Sequence, residues 1–573
     1  MIIKPAVRQP PSVLADLSVV TLLAAVLYGV VRIARHWHEP IQPVVEIDLS
    51  LWALPGYALL SLLRSFAAYL LSMLFALGYG YAAAHDRRAE RVLMPLLDIL
   101  QSIPVLGFLP GAVLVLVTLF PRSNTGLELA SILLIATSQC WNLAFSFYSS
   151  LRRIPPELRE AADVYQFSWW QRFRQVELPA SAVGLAWNSM MSMAGGWFFL
   201  TVCEAFTLGT HDFRLPGLGA YMSEALRHSN GPAIAGGILA MMLVILVVDV
   251  CLWRPVLVWC RKFRIEETAA LELQGSVVLD WLSRSWLLQL ALPSMVHPIK
   301  EWLAKPLLAA GKTPPPRRAE SPDPSRARQA LGLLAGALAI GGLAWSAGRL
   351  LRLLLELPPA DWAHLLVGAV LTCARVGAAV ALGSLWAVPV GIWIGRSAQL
   401  RSRLQPLVQI AASFPAPMIY PLVLLALHRM GWTLGVGSVI LMMLGTQWYI
   451  LFNVIAGASA VPEDLRQAAD AYQFTSRQRW RILWWPAVFP YLVTGWVTAA
   501  GGAWNASIVA EYVVQGRDVV TAWGLGSLIS VAASSGRYAL LAAGVLVMSG
   551  IVLVVNRLCW KPLYHLAQTR YAG

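Results

Sequence analysis

Charged residues are scarce in this chain: only 13% of its 573 residues are Asp, Glu, Lys or Arg, whereas 58% are hydrophobic. An ordinary soluble protein carries about 25% charged residues. A soluble core could not absorb so much apolar surface without leaving large exposed patches, so a soluble enzyme and a disordered chain are excluded. The composition instead predicts a membrane protein that crosses the bilayer several times, since one spanning helix needs roughly 20 mostly apolar residues.

Acidic residues are the scarcer charged type: 30 Asp and Glu stand against 44 Lys and Arg, which gives a net charge of +14. The chain has no contiguous basic segment of the kind that nucleic acid requires, so we expect no nucleic-acid partner. Its arginines form short clusters between apolar runs, which is typical of cytoplasmic loops under the positive-inside rule. These clusters are Arg87, Arg88 and Arg91; Arg152 and Arg153; Arg396, Arg401 and Arg403; and Arg477, Arg479 and Arg481.

Cysteine pairs with the spacing of a metal site are absent. The six cysteines are scattered in or beside apolar runs, where a thiol is a small apolar packing residue. We therefore expect no metal ion. The six are Cys140, Cys203, Cys251, Cys260, Cys373 and Cys559.

Twelve apolar runs are long enough to be spanning helices, and none has the alternation of a membrane β-strand. The first run follows Lys4 and Arg8 but lacks a small-residue cleavage site, so we interpret it as an uncleaved span with a cytoplasmic N-terminus. The runs are 17–34, 57–84, 94–119, 128–150, 180–205, 232–253, 330–355, 362–395, 406–427, 434–459, 487–512 and 538–557.

The segment 256–329 between the two sets of six runs differs in composition. It ends in a Pro- and Arg-rich stretch that is typical of an exposed linker. Its apolar middle contains Asp280 and Arg284, which would be costly at the centre of a bilayer. We therefore predict an interfacial amphipathic helix anchored by Trp281 and Trp286.

An internal repeat is the strongest feature of the sequence. Residues 155–174 match 462–481 at an offset of 307, with twelve of twenty positions identical. Upstream, the motif at 102–104 matches 413–415 at an offset of 311. The chain is thus predicted to contain two parallel six-helix halves, 17–255 and 330–562. Short cytoplasmic tails, 1–16 and 563–573, lie at the two ends.

Each repeated loop contains a short predicted helix with one apolar face. Leu158, Ala161, Ala162 and Tyr165 share that face in the first copy, and Leu465, Ala468, Ala469 and Tyr472 share it in the second. A helix this short is not stable alone in water, so the face must pack on something. It packs either on the membrane domain of the chain itself or on a cytoplasmic partner. The duplication of one loop favours a partner with two equivalent docking sites.

The sequences EAADVYQF and QAADAYQF, each followed by a basic run and a proline, resemble the EAA loop of ABC importer permeases. The Ser-x-Pro-x5-Pro helices, the Trp-x6-Glu helices and the Gly-Leu-Gly motifs at 217–219 and 524–526 resemble the nitrate, sulfonate, taurine and bicarbonate branch. The resemblance covers nearly the whole chain apart from the N-terminal tail and the linker.

This resemblance implies an all-α type I ABC importer permease with two fused halves in a bacterial inner membrane, with both termini in the cytoplasm. It implies two ABC ATP-binding subunits, a periplasmic substrate-binding protein, and a small anion or organic sulfonate as substrate. The implied coupling residues are Glu160, Ala161, Ala162, Asp163, Tyr165, Gln166, Gln467, Ala468, Ala469, Asp470, Tyr472 and Gln473.

Glutamines 166 and 473 depart from the family pattern, which usually has glycine there. Glutamine adopts a left-handed turn less readily than glycine. We therefore expect each loop to continue differently into its next helix. Since both halves share the change, we expect function to be retained.

A nucleotide-binding loop is also missing. Gly311-Lys312-Thr313 resembles its end, but Pro306 replaces the required first glycine and 314–316 are prolines where a helix should begin. We therefore expect that the chain is not an enzyme and holds no cofactor, and that ATP and Mg²⁺ bind to the partner subunits.

Several polar or aromatic residues in the apolar runs are candidates for the transport pathway. Glu204 and Glu511 could line the pathway or lock an outer gate, or could pair with loop residues such as Arg214 or Arg517. Trp197 and Trp504 could close the pathway or could simply pack between helices. Asn188 and Asn505 are not matched between the halves, which permits an asymmetric substrate site. The candidates are Ser102, Ser413, Asn188, Trp197, Glu204, Trp504, Asn505 and Glu511.

Two other classes of protein remain open from the residues. A membrane scaffold or sensor would bind a non-ATPase partner at the two loops. A lone channel or secondary transporter would need no docking loops.

Overall fold

A computed structural model describes residues 46–121, 123–208, 211–263, 344–515 and 518–570, with isolated positions in 13–31, 278–285 and 341–342. Much of the predicted span 17–34 lies outside the described residues. So does almost all of the predicted linker helix.

The described part of the first half contains nine α-helices of seven residues or more, and one β-hairpin. Its hairpin pairs β1 (Ala205–Leu208) with β2 (His211–Arg214) in antiparallel fashion. The helices are α1 (Leu54–His85), α2 (Arg87–Ser102), α3 (Leu109–Leu119), α4 (Thr125–Arg152), α5 (Pro156–Val164), α6 (Leu178–Cys203), α7 (Leu218–Arg227), α8 (Gly231–Val248) and α9 (Arg254–Cys260).

The second half repeats this order. Its hairpin pairs β3 (Tyr512–Gln515) with β4 (Asp518–Thr521). Its helices are α10 (Pro359–Gly395), α11 (Ala398–Ser413), α12 (Tyr420–Arg429), α13 (Leu434–Ser459), α14 (Glu463–Ala471), α15 (Trp485–Ala510), α16 (Leu525–Ser534), α17 (Tyr538–Val555) and α18 (Lys561–Arg570).

Within the described part of the chain, seven helical stretches are long and apolar enough to cross a membrane. They are Leu51–His85, Thr125–Arg152, Gly231–Cys260, Pro359–Gly395, Leu434–Ser459, Ser476–Ala510 and Tyr538–Arg570. In each half the central long helix packs against two others, α4 against α1 and α6, and α13 against α10 and α15.

Two of the predicted spans are interrupted. The run 94–119 contains α2, an extended break at Ile103 and Pro104, a 3-10 turn (Val105–Phe108) and then α3. The run 406–427 is broken in the same way between α11 and α12. A proline has no N–H and drives the preceding residue out of the helical region, so each helix ends where its Ser-x-Pro motif begins.

The segments after these breaks join the two halves. Leu106 packs in the hydrophobic core of the second half, and Met418 packs in the core of the first. The backbone N–H of Leu106 also donates to the side-chain oxygen of Asn505 at 3.5 Å. Each half therefore contributes part of the core of the other.

The connection from each loop helix, α5 or α14, to the next long helix contains a π-helical turn. One π turn, Phe173–Glu177, precedes α6, and the other, Arg479–Trp484, precedes α15. A capping box starts each connection, formed by Ser168 with Gln171 in the first half and by Thr475 with Gln478 in the second.

Candidate functional site

On the apolar face of each loop helix, one residue is buried and another is exposed. Ala162 and Ala469 are buried within the chain, with 3% and 4% of their surface exposed. Tyr165 and Tyr472 are 76% and 79% exposed. The alanines are therefore covered by other parts of the chain, whereas the tyrosines project from the surface.

The other predicted coupling residues lie on the outside of the same helices. Ala161 is half-buried, and the remaining residues are exposed: Glu160, Asp163, Gln166, Gln467, Ala468, Asp470 and Gln473. Leu158 and Leu465 are also exposed, so each loop presents apolar surface beside its charged groups.

Gln166 and Gln473 adopt the left-handed conformation that glycine usually supplies, each with φ of 51°. In the first loop Phe167 N–H donates to the carbonyl of Ala162 at 2.9 Å, and in the second Phe474 N–H donates to that of Ala469 at 3.0 Å. This pattern is the Schellman motif at a helix C-terminus. The expectation that glutamine redirects the loop is therefore wrong, because hydrogen bonds hold it in the left-handed turn.

An arginine attaches each loop helix to the end of the preceding long helix. Arg159 donates to the carbonyl of Leu151 at 2.7 Å. Its counterpart Arg466 donates to the carbonyls of Ala458 and Arg396, both at 3.0 Å. Leu151 and Ala458 lie in the last turns of α4 and α13, and Arg396 is the C-cap residue of α10. A cation is favourable at such helix C-termini.

An aspartate links each loop helix forward to the next helical segment. Asp163 pairs with Arg172 at 3.2 Å, and Asp470 pairs with Arg479 at 2.6 Å. The two loops thus share an arginine anchor, an aspartate–arginine pair and a Schellman end, which makes them structural equivalents.

Glu204 lies at the end of α6, fully buried in a polar cluster. Its carboxylate accepts hydrogen bonds from Ser61 Oγ at 2.6 Å and Gly219 N–H at 2.7 Å, and it forms a short ion pair with Arg64. Arg214, the loop residue considered from the sequence, instead contacts Glu224 at 2.5 Å.

Glu511, at the end of α15, has an equivalent environment. It accepts from Thr372 Oγ1 at 2.8 Å, from Arg375 Nη1 at 2.8 Å and from Gly526 N–H at 2.9 Å. Arg517, considered as its partner from the sequence, lies outside the described residues.

Sequence reasoning missed the partners of both glutamates. Ser61 and Arg64 align with Thr372 and Arg375 at the offset of 311 already found upstream. An arginine repeated at the same depth of two apolar runs was the signal that could have found them.

The Gly-Leu-Gly motifs are explained by these clusters. A Cβ added at Gly217 would overlap the carboxylate of Glu204, and one added at Gly524 would overlap that of Glu511. Each motif therefore lets the backbone approach a buried carboxylate closely enough to donate to it.

The two clusters differ in one charge. Glu128 makes a bidentate contact with Arg64 in the first half, with Nε and Nη2 each 2.7 Å from a carboxylate oxygen. At the offset of 307, its counterpart in the second half is Gly435. Arg64 is thus shared by two carboxylates, whereas Arg375 contacts Glu511 alone among the described residues.

A cavity of about 70 Å³ lies between the halves. Its walls come mainly from α6, α13, α15 and the end of α11, and they are largely apolar and aromatic. Gly195 and Gly502 line it at equivalent positions, and Asn505 is a polar lining residue. Gln409 also lines it, and its Oε1 is buried without a hydrogen-bond partner in the described structure.

Among the described side chains, the other pathway candidates do not line this cavity. Trp197 and Trp504 are each 2% exposed and pack in the core of their own half. Asn188 donates to Ser146 Oγ and to the carbonyl of Gly184. Ser413 Oγ donates to the carbonyl of Gln409 at 2.8 Å, and the side chain of Ser102 is outside the description.

This arrangement defines a class of protein. It is a multi-pass, all-α membrane protein built from two equivalent halves, with a matching helical loop in each half and a cavity between the halves.

Comparison with protein families gives the family. The binding-protein-dependent transport system inner membrane component matches residues 68–252 and 387–559, together more than half of the chain. The chain therefore belongs to this family of membrane transport permeases.

Individual relatives agree with this assignment. A nitrate import permease protein of Synechocystis sp. is 26% identical over 142 residues, 25% of this chain and 50% of the relative. A putative aliphatic sulfonates transport permease protein of Bacillus subtilis is 27% identical over 189 residues, 33% of this chain and 63% of the relative. A bicarbonate transport system permease protein of Synechococcus elongatus is 28% identical over 143 residues, 25% and 50% respectively. The chain thus spans about half to two thirds of the length of these relatives.

Proposed function

We propose that this chain is the fused permease of an ATP-driven importer, with the substrate pathway between its two halves. ATP-binding subunits dock at 155–174 and 462–481, and a substrate-binding protein delivers substrate at the opposite face. The chain lies in a bacterial inner membrane with both termini in the cytoplasm. The observation that carries the proposal is the structural equivalence of the two loops, each with an exposed tyrosine beside a buried alanine.

The proposed substrate is a small anion or an organic sulfonate. The names of three relatives support this class, since they are a nitrate import permease, a putative aliphatic sulfonates transport permease and a bicarbonate transport system permease. The cavity walls, which include Phe198, Phe414 and Trp448, would suit a substrate with an apolar body, such as an alkyl sulfonate.

The experiment begins with purification of the chain from native membranes and identification of any ATP-binding protein that accompanies it. The complex is then reconstituted in vesicles with ATP inside. Uptake of nitrate, bicarbonate and an alkyl sulfonate is measured with the binding protein outside. ATP-dependent uptake of at least one anion is expected. Uptake by the chain alone without ATP would overturn the proposal.

Docking is tested separately from folding. Tyr165→Ala combined with Tyr472→Ala should weaken association with the ATP-binding subunit at least tenfold and leave thermal stability unchanged, because both side chains are exposed. Ala162 and Ala469 are poor test positions, since their burial links any bulky substitution to folding. Tyr538→Ala is the matched control, because Tyr538 is an exposed tyrosine at the start of α17, away from both loops. Unchanged association of the double variant would refute the docking assignment.

A further inference from the structure

Arg375 and Arg64 are equivalent residues with different partners. In the first half, the Nε–Nη2 edge of Arg64 is filled by the carboxylate of Glu128. In the second half, the one hydrogen bond that Arg375 makes within the described part of the chain runs from Nη1 to Glu511 at 2.8 Å. Among the described residues, no acceptor contacts the Nε–Nη2 edge of Arg375. The side chain is nevertheless largely buried, with 14% of its surface exposed.

The space beside this edge is open in the second half. A Cβ added at Gly435, the counterpart of Glu128, would lie 3.5 Å from Thr433 Oγ1 and 3.9 Å from Arg375 Nη2. Apart from its chain neighbours and the nearby backbone of its own helix, no other described atom would lie within 4 Å. The hydroxyl of Thr433 makes no hydrogen bond that caps α13. Arg375 Nη2 and the hydroxyl of Thr433 therefore both border the space beside Gly435.

We propose that Arg375 and Thr433 bind a small oxyanion in the second half, at the position where Glu128 places its carboxylate in the first. Two coplanar oxygens match the parallel N–H donors of a guanidinium edge, so carboxylate, nitrate, bicarbonate or a sulfonate headgroup fits this chemistry. Chloride is a single spherical ion, so it cannot place a separate acceptor atom on each of the two N–H donors. Burial strengthens such a pairing by excluding water.

The site extends the proposed function. If the chain imports anions with the orientation proposed above, Arg375 lies toward the outer face, in the path of an arriving oxyanion. This placement rests on the proposed function, whereas binding itself does not. The binding test therefore uses no ATP, no partner and no transport assay.

The experiment measures the apparent melting temperature of the full chain in neutral detergent. Sodium formate, nitrate or methanesulfonate is titrated against sodium chloride at equal ionic strength. We expect the oxyanions to raise the melting temperature of the natural chain by at least 2 °C over chloride.

Gly435→Glu supplies in the second half the carboxylate that the first half already has. Without added oxyanion, this variant should be more stable than the natural chain. Its apparent affinity for formate should be at least tenfold lower. Gly435→Ala is the matched control: it adds only a Cβ in ordinary contact and should keep the response. Glu128→Gly provides the converse, since Arg64 should then gain a formate response.

The outcomes separate clearly. Equal melting temperatures in formate and chloride for the natural chain would refute the site. An undiminished formate response in Gly435→Glu would also refute it, by locating binding elsewhere. If Glu128→Gly does not fold, the comparison of Gly435→Glu with Gly435→Ala still tests whether formate binds at this site. If ATP-dependent import fails while the formate response holds, only the proposed function is lost.

Discussion

Gln166 and Gln473, 307 positions apart, share a backbone φ of 51°. Each donates its own N–H to the carbonyl of an aspartate three residues earlier, Asp163 and Asp470, at 3.0 Å. Two identical left-handed glutamines in independent copies of a loop indicate that the turn is set by its hydrogen bonds rather than by an accommodating residue.

Replacing both glutamines with glycine should stabilise the loops. A non-glycine residue in the left-handed region costs about 1–2 kcal/mol, part of which is offset by the greater freedom of glycine in the unfolded chain. We expect a net gain of up to about 1 kcal/mol per loop. Slower amide hydrogen exchange in 156–167 and 463–474 would show it, and faster exchange would contradict it.

Neutralising the two buried glutamates should have unequal effects. In Glu204→Gln, Arg64 keeps the bidentate carboxylate of Glu128, so we expect a loss of about 1–2 kcal/mol. In Glu511→Gln, Arg375 loses its carboxylate partner, so we expect about 3–5 kcal/mol. The two apparent melting temperatures compare the variants directly. Equal losses, or a larger loss for Glu204→Gln, would contradict the different environments of the arginines.

Alanine at Gly217 or Gly524 should disrupt the polar clusters around Glu204 and Glu511. The added Cβ would overlap a buried carboxylate, and relieving that overlap breaks hydrogen bonds to it, so we expect a loss of about 3 kcal/mol or more. Gly501→Ala is the control, because a Cβ there meets nothing within 4 Å and removes a helix-interior glycine. Its stability should be unchanged or slightly raised. The measurement is the apparent melting temperature of the three variants. An unchanged melting temperature for alanine at Gly217 would contradict the expected overlap with the carboxylate of Glu204.

Removing the loop anchors should loosen the second loop more than the first. Arg466→Ala loses two hydrogen bonds to carbonyls and a contact of the guanidinium with the ring of Trp484 at 5.4 Å. Arg159→Ala loses one hydrogen bond. Amide hydrogen exchange in 463–474 of Arg466→Ala should therefore be faster than in 156–167 of Arg159→Ala. We expect a difference of about tenfold, which corresponds to roughly 1.4 kcal/mol for the extra hydrogen bond. Equal acceleration would mean that the additional contacts contribute nothing.

The repeat made the architecture predictable, because residues that a constant offset aligns occupy equivalent positions in the two halves. This inference needs no information about distances. It predicted two equivalent halves, the helical loops and the equivalence of Glu204 and Glu511. It also predicted where the Ser-x-Pro motifs lie, although hydropathy alone joined α2 to α3 and α11 to α12. Hydropathy averages over a window and does not register a two-residue break.

The partners of the glutamates were not predicted, since pairing depends on how helices distant in sequence pack. Arg64 and Glu204 are 140 positions apart. The division of the loop face into buried Ala162 and exposed Tyr165 was equally hidden, because helical periodicity places residues on a face but does not say how far the neighbouring surface extends. The exchange of Leu106 and Met418 between cores needed the full packing arrangement.

The π turns at 173–177 and 479–484 set the rotational phase of the helices that follow them. A π turn holds one more residue than an α turn would, and each residue of a helix advances the side chains by about 100°. Deleting one residue from either turn would therefore leave the helix intact but swing Gly195 or Gly502 away from the cavity. Each π turn therefore does two things: it connects a loop to a helix that lines the cavity, and it sets the rotation of that helix about its own axis.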